Sequence, residues 1–461
     1  MYCDHHLYWK DEGKEWDARI PEDEYWAYNC KDAVITYEVD EEEQKVIDTM
    51  GLRSVHDFQQ SLFQPVLNTM VRGIRVDKNL RARFGCELQE EISSRQAWIY
   101  NVLGYELNPK SPKQMQELFY GQLGQKPVIS RKTGNPSCDD EALQKVAARQ
   151  PLLRPLINKI LEIRSLGVFF STFINAALDE DGRLRCSFNI AGTETYRFSS
   201  SQNAFDSGLN LQNVPKGDEE GELKLPNVRK LFIPDPGYEF FDIDLDSADL
   251  RIVTYESDCK WMKEQFAAGN KPYVEVAKEY YRDPTITKHH KAYPLFKALC
   301  HGTNYLGTPE GLAARIGLGV HETQRIQKWY YSMCPEIKKW QDDLINQVNK
   351  RRMVQNVFGY RMYFFDRIEG TIYNQAVAWI PQSTVGCLIN RAYVNLYKNY
   401  PEIHVLLQVH DSLAGQYPSH LRDWAQARIL DCARVELPYA GSPLIIPVGI
   451  KTSQNSWGEC D

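Results

Sequence analysis

At residues 231–253 the chain reads LFIPDPGYEFFDIDLDSADLRIV, and the hydrophobic pattern changes within this segment. A turn rich in proline and glycine comes first, an alternating apolar run follows, and a helical pattern begins near Ala248. Asp242, Asp244 and Asp246 alternate with apolar residues, so in a strand their side chains share one face. Because three like charges on one face repel each other, this pattern favours a cation-binding role over a purely structural one.

A second acidic site follows another predicted strand, much later in the chain. His404–Val409 is a β-rich run, Asp411 lies in the short turn after it, and a further strand begins beyond the turn. Carboxylates brought together from distant strands are the ligands that a two-metal phosphoryl-transfer site requires. The alternative is that the aspartates of both sites only cap turns.

A third group of side chains lies on a predicted helix. Lys297, His301 and Tyr305 are spaced four residues apart, which places them on one helix face. A cation and two flat rings in line suit a nucleotide, because the charge can meet phosphate and the rings can meet sugar and base. An amphipathic surface helix is the alternative interpretation.

Composition limits the classes of protein to which the chain can belong. The 461 residues are 43% hydrophobic and 25% charged, which excludes a disordered chain and predicts several domains. The net charge is −7, but residues 1–48 hold fifteen acidic and five basic residues, so the remainder is slightly positive and compatible with an anionic partner. The sequence has no apolar run of about 18 residues, no signal-peptide pattern and no C-x-x-C pair, so we expect an intracellular protein without a membrane partner or zinc site.

The acidic and helical sites occur in an order that resembles DNA polymerase family A, the bacterial DNA polymerase I type and its phage relatives. Residues 244–251 (DLDSADLR) resemble motif A of that family, residues 297–307 its fingers helix, and residues 408–411 (QVHD) its motif C. The further similar segments are 73–77 (GIRVD), 108–114 (NPKSPKQ), 134–137 (GNPS), 195–200 (TYRFSS), 210–215 (NLQNVP) and 381–384 (PQST). The resemblance therefore spans nearly the whole chain after residue 46.

The resemblance implies an α+β fold of the right-hand polymerase type, with an antiparallel palm sheet and helical fingers and thumb. The domains expected from it are a thumb at 60–185, a palm at 186–255 and 371–461, and fingers at 256–370. Residues 1–48 are expected to be a remnant of a 3′–5′ exonuclease domain, because YNCKD at residues 28–32 resembles its last motif. The earlier metal-binding carboxylates of that exonuclease are expected to be missing from this chain. An ordinary acidic helical hairpin is the alternative for this segment, and the charge run at residues 38–43 is expected to be a solvated helix face.

The resemblance also implies roles for individual residues. Asp244 and Asp411 would hold two Mg²⁺ ions, with Mn²⁺ as the alternative metal, and Lys297 would contact the incoming triphosphate. The other expected contacts are His301 near the nucleotide sugar, Tyr305 at the templating base, Asp249 against the sugar 2′-carbon, Arg197 and Gln382 in the minor groove, and His410 beside the primer terminus. Primer–template DNA and dNTPs would be the partners. A separate exonuclease chain or a processivity factor would be a further partner.

Two carboxylate positions depart from the family pattern. Asp249 stands where glutamate is usual, and Ser412 follows Asp411 where motif C usually ends in glutamate. Asp242 or Asp246 is expected to compensate as an outer acid.

The fingers helix also departs from the family pattern. The family's arginine before the fingers lysine falls at Tyr293, beside Pro294. Because proline is tolerated only in a first helical turn, we expect the helix to start near Pro294. Lys291 or His290 would then supply the missing positive charge.

The sequence thus favours a template-directed DNA polymerase that adds dNTPs to a primer 3′-hydroxyl and does not proofread by itself. The sequence of residues 8–13 (YWKDEG) is phage-like, which suggests viral DNA replication in a host bacterial cytoplasm. A single-subunit RNA polymerase and a catalytically silent DNA-binding scaffold stay open as alternatives. The acid at position 249 favours deoxynucleotides, since it can block a 2′-hydroxyl, and the presence of both catalytic aspartates argues against the scaffold.

Overall fold

The computed structural model describes residues 21–130, 132–203, 207–218, 223–439 and 443–460. The chain divides into two compact units, of which the first ends at Gln60 and the second begins at Ser61. Each unit has its own secondary structure, and the second contains the sheet that carries the predicted acidic residues. The ten described cysteines are free thiols.

The first unit is helical. Helix α1 runs without interruption over Glu22–Thr49 and has no buried residue, and α2 follows at Arg53–Ser61. The acidic run at residues 38–43 is exposed along α1, which confirms the predicted solvated helix face. One continuous helix covers residues 22–49, so this segment is not a helical hairpin. The phage-like residues 8–13 lie outside the described residues.

The second unit opens with a mainly helical region. Its elements are α3 (Phe63–Arg72), β1 (Ile74–Val76), α4 (Lys78–Leu103), α5 (Pro112–Gln116), β2 (Val128–Ile129), β3 (Pro136–Ser137), α6 (Asp140–Arg149), α7 (Arg154–Phe169), β4 (Arg183–Leu184), β5 (Ser187–Asn189) and β6 (Ser199–Ser201). Helix α4 begins at an Asp77 cap, whose side chain accepts hydrogen bonds from the N–H groups of Asn79 and Leu80. It ends at Gly104, which adopts a left-handed conformation that glycine reaches without strain.

The segment at residues 231–253 forms the predicted turn, strand and helix. Its elements are β7 (Phe232–Ile233), β8 (Tyr238–Leu245) and α8 (Ala248–Glu256). Helices and one hairpin follow: α9 (Lys260–Ala267), α10 (Pro272–Tyr281), α11 (Ala292–Asn304), α12 (Pro309–Ile316), α13 (Val320–Met333), α14 (Pro335–Arg351), β9 (Met353–Gln355), β10 (Arg361–Tyr363) and α15 (Gly370–Asn399). The chain ends with β11 (His404–Val409), β12 (Ser412–Pro418), α16 (Arg422–Ala433), β13 (Glu436–Leu437), β14 (Leu444–Ile445) and β15 (Val448–Ser453).

The central sheet is antiparallel and has the order β11-β12-β8-β15. Phe240, Phe241, Ile243 and Leu245 of β8 are buried, so packed layers cover both faces of this strand. Helices lie before the sheet in sequence and between its strands, which confirms the expected α+β architecture. The sheet joins strands that are distant in sequence, as the two acidic sites require.

Candidate active site

The sheet register brings the two predicted catalytic aspartates to the same edge. Asp244 is exposed near the end of β8, where its Cα pairs with those of Ser412 and Gly449. Val409 pairs with Ser412, so His410 and Asp411 form the two-residue loop of the β11–β12 hairpin. Asp411 therefore immediately precedes the residue opposite Asp244. The expected convergence of these two carboxylates is what the strands produce.

Within the described part of the chain, no ion pair neutralises Asp244 or Asp411. Partial burial of its carboxyl group raises the pKa of Asp244 to about 6, and the negative charges of Asp411 and Asp242 add to the effect. Such mutual repulsion is relieved by a cation, and carboxylate oxygens are the hard ligands that Mg²⁺ prefers. Among the described residues, no group of three or more His, Cys, Asp or Glu side chains could enclose a metal ion. The two carboxylates of Asp244 and Asp411 therefore fit ions whose remaining ligands are phosphate and water oxygens.

The other two acids of the segment have protein partners. Asp242 of β8 accepts a hydrogen bond from Nε1 of Trp457, which follows β15, at 2.8 Å. Asp246 lies beyond the end of β8, so the expectation that all three aspartates share one strand face is wrong for this residue. Arg251 and Lys271 lie 3.0 and 2.6 Å from its carboxylate oxygens and hold its pKa low against the effect of burial. The negative charge of Asp246 is thus already balanced by these two cations.

Asp249 lies at the centre of the nucleotide-binding residues expected from the resemblance. It is half-buried in the first turn of α8, and Arg197 Nη2 lies 4.0 Å from its Oδ1. Burial raises the pKa of Asp249, while the nearby Arg197 and His301 act to lower it and Asp411 raises it further. These interactions place α8, α11 and the β11–β12 hairpin around one carboxylate.

Helix α11 presents the predicted cation and rings. It starts at Ala292, so Pro294 lies in its first turn as predicted. Lys297 is exposed, and the rings of His301 and Tyr305 meet edge to face with centroids 4.6 Å apart. The helix ends at Asn304, so Tyr305 follows it rather than completing its face. Burial lowers the pKa of His301 despite the opposing effect of Asp249, which favours a neutral ring at neutral pH.

Four polar atoms in this region are buried without a hydrogen-bond partner among the described residues. They are Arg197 Nε, Asp249 Oδ1, Tyr305 OH and Tyr273 OH. Because buried polar atoms are nearly always paired, such a group marks a space completed by ligand or water. Sequence reasoning missed Tyr273, which follows Pro272 at the start of α10 and carries no motif or spacing signal.

Helix α15 positions the loop that carries Arg197. Trp379 Nε1 donates to Glu194 O at 2.7 Å, and Asn390 Nδ2 donates to Tyr196 O at 3.1 Å. A Cβ at Gly386 would lie 2.9 Å from Thr195 O, so only glycine allows this approach. Gln382 is half-buried. It comes three residues after Trp379 and four before Gly386, so it lies on the face of α15 that contacts this loop.

The remaining predicted residues occupy exposed positions. His410 is exposed with a φ of 56°, a left-handed conformation suited to a tight hairpin turn, so it is not a packed strand-end residue. Lys291 is exposed just before α11. The His290 Nδ1 atom accepts a hydrogen bond from the N–H of Ala292 at 3.2 Å, so His290 caps the helix and Lys291 is the available cation.

A pair of buried glutamines supports the hairpin loop. Gln212 Nε2 donates to Gln408 Oε1 at 3.0 Å and to its backbone oxygen at 3.1 Å, and Gln408 Nε2 donates to His410 O at 2.8 Å. Both residues lie in segments that resemble family motifs, but their contact was not expected. This chain of amides holds the turn that presents Asp411.

A family model and individual known proteins match this chain. The family model for DNA polymerase family A matches residues 78–459. Among relatives, the thermostable DNA polymerase I of Thermus filiformis is 25% identical over 86% of this chain and 47% of its own length. The thermostable enzyme of Thermus aquaticus is 27% identical over 82% and 45%. The chain thus spans less than half the length of these relatives.

The fold also matches a solved polymerase structure. The POL domain of Pol1 from M. smegmatis, in complex with DNA primer-template and dNTP, superposes with a TM-score of 0.76. The match covers 90% of this chain and 72% of that chain at 21% identity, which supports the right-hand polymerase fold. Within the described residues, no helix combines the length and apolar character needed to span a membrane. Since the family model covers most of the residues that build the sheet, the helices and the acidic edge, the chain belongs to DNA polymerase family A.

Proposed function

We propose that this chain is a template-directed DNA polymerase that adds dNTPs to a primer 3′-hydroxyl. The observation that carries the proposal is the meeting of Asp244 and Asp411 at one sheet edge, where no cation of the described protein neutralises them. Phosphoryl transfer depends on positioning and on stabilising negative charge, and an uncompensated acidic edge is the place for divalent ions. The relatives are themselves DNA polymerases.

The elements around this edge support the proposed domain assignment. The sheet at 238–245 and 404–453 belongs to the proposed palm, which comprises 186–255 and 371–461. Helices α9–α14 lie in the proposed fingers at 256–370, and α4–α7 lie in the proposed thumb at 60–185.

The proposed mechanism assigns a task to each side chain at the edge. Asp244 and Asp411 would hold two Mg²⁺ ions, or Mn²⁺, which when bound supply positive charge to the attacking and leaving oxygens. Asp242 is the better candidate for an outer acid, since Asp246 is already paired with two cations. Lys297 faces solvent on α11 and would bind the triphosphate, with Lys291 as a second cation at the start of the helix.

The substrate would be oriented by residues around Asp249. Arg197 and Gln382 would contact the primer terminus through the minor groove, where A·T and T·A pairs present similar acceptors. His410, exposed beside Asp411, would lie next to the primer end, and Tyr305 would contact the templating base.

A primer-extension assay with separate dNTP and NTP pools tests the proposal. A DNA polymerase extends the primer with dNTPs in the presence of Mg²⁺, whereas an RNA polymerase prefers NTPs and a silent scaffold extends with neither. The half-buried Asp249 favours the first outcome, because a carboxylate against the sugar can exclude a 2′-hydroxyl. The Asp244→Asn protein, tested beside it, controls for a contaminating polymerase.

The proposal has three finer parts. The phage-like residues 8–13 support a role in viral DNA replication inside a host bacterial cell. The α1 motif YNCKD supplies one aspartate, Asp32, so no proofreading is proposed for this chain by itself. A separate exonuclease chain or a processivity factor is proposed as an additional partner, and hydrolysis of a mispaired primer end measures proofreading directly.

A further inference from the structure

Strand β10 of the β9–β10 hairpin and the segment just after it carry two exposed aromatic rings. After Tyr360 the chain alternates, so Met362 and Phe364 are buried while Tyr363 and Phe365 point outward. Tyr363 is 39% exposed and Phe365 is 88% exposed. Their rings are stacked, with centroids 6.3 Å apart and planes 20° from parallel. We name this pair, Tyr363 and Phe365, the aromatic platform.

The side chain of Arg352 holds the backbone of the segment that carries the platform. Arg352 Nη1 donates hydrogen bonds to the carbonyl oxygens of Phe364, Phe365 and Asp366 at 3.2, 3.3 and 3.1 Å. The buried Phe364 anchors the same segment. The two rings are stacked on each other, so they form one contiguous exposed aromatic surface rather than a single scattered side chain, and such surfaces mark binding sites.

The surroundings of the platform are basic. Residues 350–369 contain five basic and two acidic side chains, the latter being Asp366 and Glu369. Arg351 and Arg367 are exposed, and among the described residues neither takes part in an ion pair. Arg361 lies on the same outward face as the two rings. Aromatic rings beside arginines are the combination that binds unpaired bases and their phosphates.

The base of the hairpin forms part of the proposed nucleic-acid cleft. The Tyr360 ring packs on Tyr196 with centroids 4.3 Å apart, and Tyr196 precedes Arg197. Asn356 Nδ2 donates to Ser383 Oγ at 3.0 Å, one residue after Gln382. Phe365 is five residues beyond Tyr360, within about 17 Å at the rise of an extended chain. The platform therefore extends outward from the wall that carries the primer-contact residues.

We infer that the aromatic platform stacks on unpaired bases of the single-stranded template ahead of the primer terminus. Behind the terminus the template is paired, and its base faces are covered by neighbouring bases, so only the overhang offers free faces. Stacking on Phe365 needs no sequence preference, because every base has such a face. This inference rests on the proposed polymerase function and names a further binding surface for its template.

Equilibrium binding to two primer–templates tests the inference. One has a single-nucleotide 5′ overhang and the other an overhang of about ten nucleotides, within the usual site size for single strands. Without dNTPs, wild type should bind the longer overhang about tenfold more tightly, as one well-stacked base allows. Phe365→Ala should remove most of this advantage and Tyr363→Ala part of it, whereas Phe365→Trp should keep it.

Controls separate this result from general effects. Phe63→Ala removes a ring that is 65% exposed on α3 and should leave the length dependence intact. If Phe365→Ala preserves the advantage of the long overhang, or weakens both substrates equally, the inference is wrong. Asp244→Asn should retain the length dependence while losing extension, so loss of polymerase activity and loss of template stacking are read from different measurements.

Discussion

The carboxylates near the two ends of β8 differ in burial and in the partners that surround them. At the beginning, Glu239 is only 2% exposed and accepts hydrogen bonds from Arg422 at 2.9 and 2.7 Å and from Gln454 at 3.1 Å. Burial alone would raise its pKa, but these donors outweigh the effect and lower it. At the other end, Asp244 is exposed, and among the described residues no cation lies within ion-pair distance.

This difference is the one expected between a structural carboxylate and a carboxylate that binds a ligand, the role proposed for Asp244. A buried charge must be paired within the protein, because leaving it alone costs several kcal/mol. A pair of like charges that is partly open to solvent is tolerated and can be neutralised later by a bound cation. Asp246, which is held by Arg251 and Lys271, behaves like Glu239 although it lies two residues from Asp244.

The strongest test of the comparison removes the acidic edge. Asp244→Ala and Asp411→Ala should each reduce single-turnover dNTP incorporation by about 10³-fold or more, roughly 4 kcal/mol of activation free energy. Primer–template affinity, measured by anisotropy, should change little, because contacts to backbone phosphates dominate DNA affinity. Extension by either variant at near wild-type rate would contradict the metal assignment.

Breaking the paired end should instead reduce stability. Glu239→Gln should lower the free energy of unfolding by about 2 kcal/mol at pH 7, since it removes charge-assisted hydrogen bonds to a partly exposed Arg422. A lowered carboxylate pKa stabilises the fold above the unfolded value and loses that contribution as pH falls through the folded pKa. The difference from wild type in urea unfolding should therefore shrink below about pH 4. Asp423→Asn, an exposed acid on α16, is the matched control and should have little effect.

Asp249 is intermediate between the two ends, because it is half-buried and only 4.0 Å from Arg197. It is one methylene shorter than the family's glutamate, so in the proposed site its carboxylate would stand further from the nucleotide sugar. Asp249→Glu should raise discrimination against NTPs about tenfold, which corresponds to about 1.4 kcal/mol. The ratio of dNTP to NTP incorporation efficiency measures the effect. Equal ratios in the two proteins would show that the missing methylene is compensated elsewhere.

The repulsion at the acidic edge should also be visible in stability. The pKa of Asp244 is raised to about 6, so its carboxylate destabilises the folded state at high pH and ceases to do so once it is protonated. Asp244→Asn should increase the free energy of unfolding by about 1 kcal/mol at pH 8 after allowance for solvent screening. The gain should decline between pH 6 and pH 4 and vanish below. A loss of stability at pH 8 would place Asp244 with Glu239 as a structural acid.

The smallest expected effect concerns His301, which interacts with Asp249. Its neutral ring has one donor and one acceptor, so we expect it to replace part of the hydrogen bonding lost with a missing sugar 3′-hydroxyl. His301→Phe should therefore accept dideoxynucleotides about threefold less well, and His301→Tyr somewhat better than wild type, equivalent to less than about 1 kcal/mol. Identical dideoxy-to-deoxy ratios in wild type and His301→Phe would make His301 a packing residue.

Local sequence determined much of the framework of this site. The alternation before Leu245 specified β8, and Pro294 placed the start of α11, because backbone geometry responds to nearby residues. The strand patterns pointed to the aspartates, the order of motifs indicated the family, and the family implied a metal-binding role for Asp244 and Asp411. Spacing alone put Lys297 and His301 on one helix face, since an i, i+4 pair needs only a helix.

Only the tertiary structure decided how these parts meet. The pairing of β8 with β12 sets Asp411 beside Asp244, and such a register depends on packing across the whole sheet. The same is true of the Gln212–Gln408 contact, the recruitment of Lys271 by Asp246 and the approach of Tyr273 to Asp249. These contacts join residues on separate elements, so no local period or motif spacing encodes them, and the burial that sets each pKa exists only when the chain is folded.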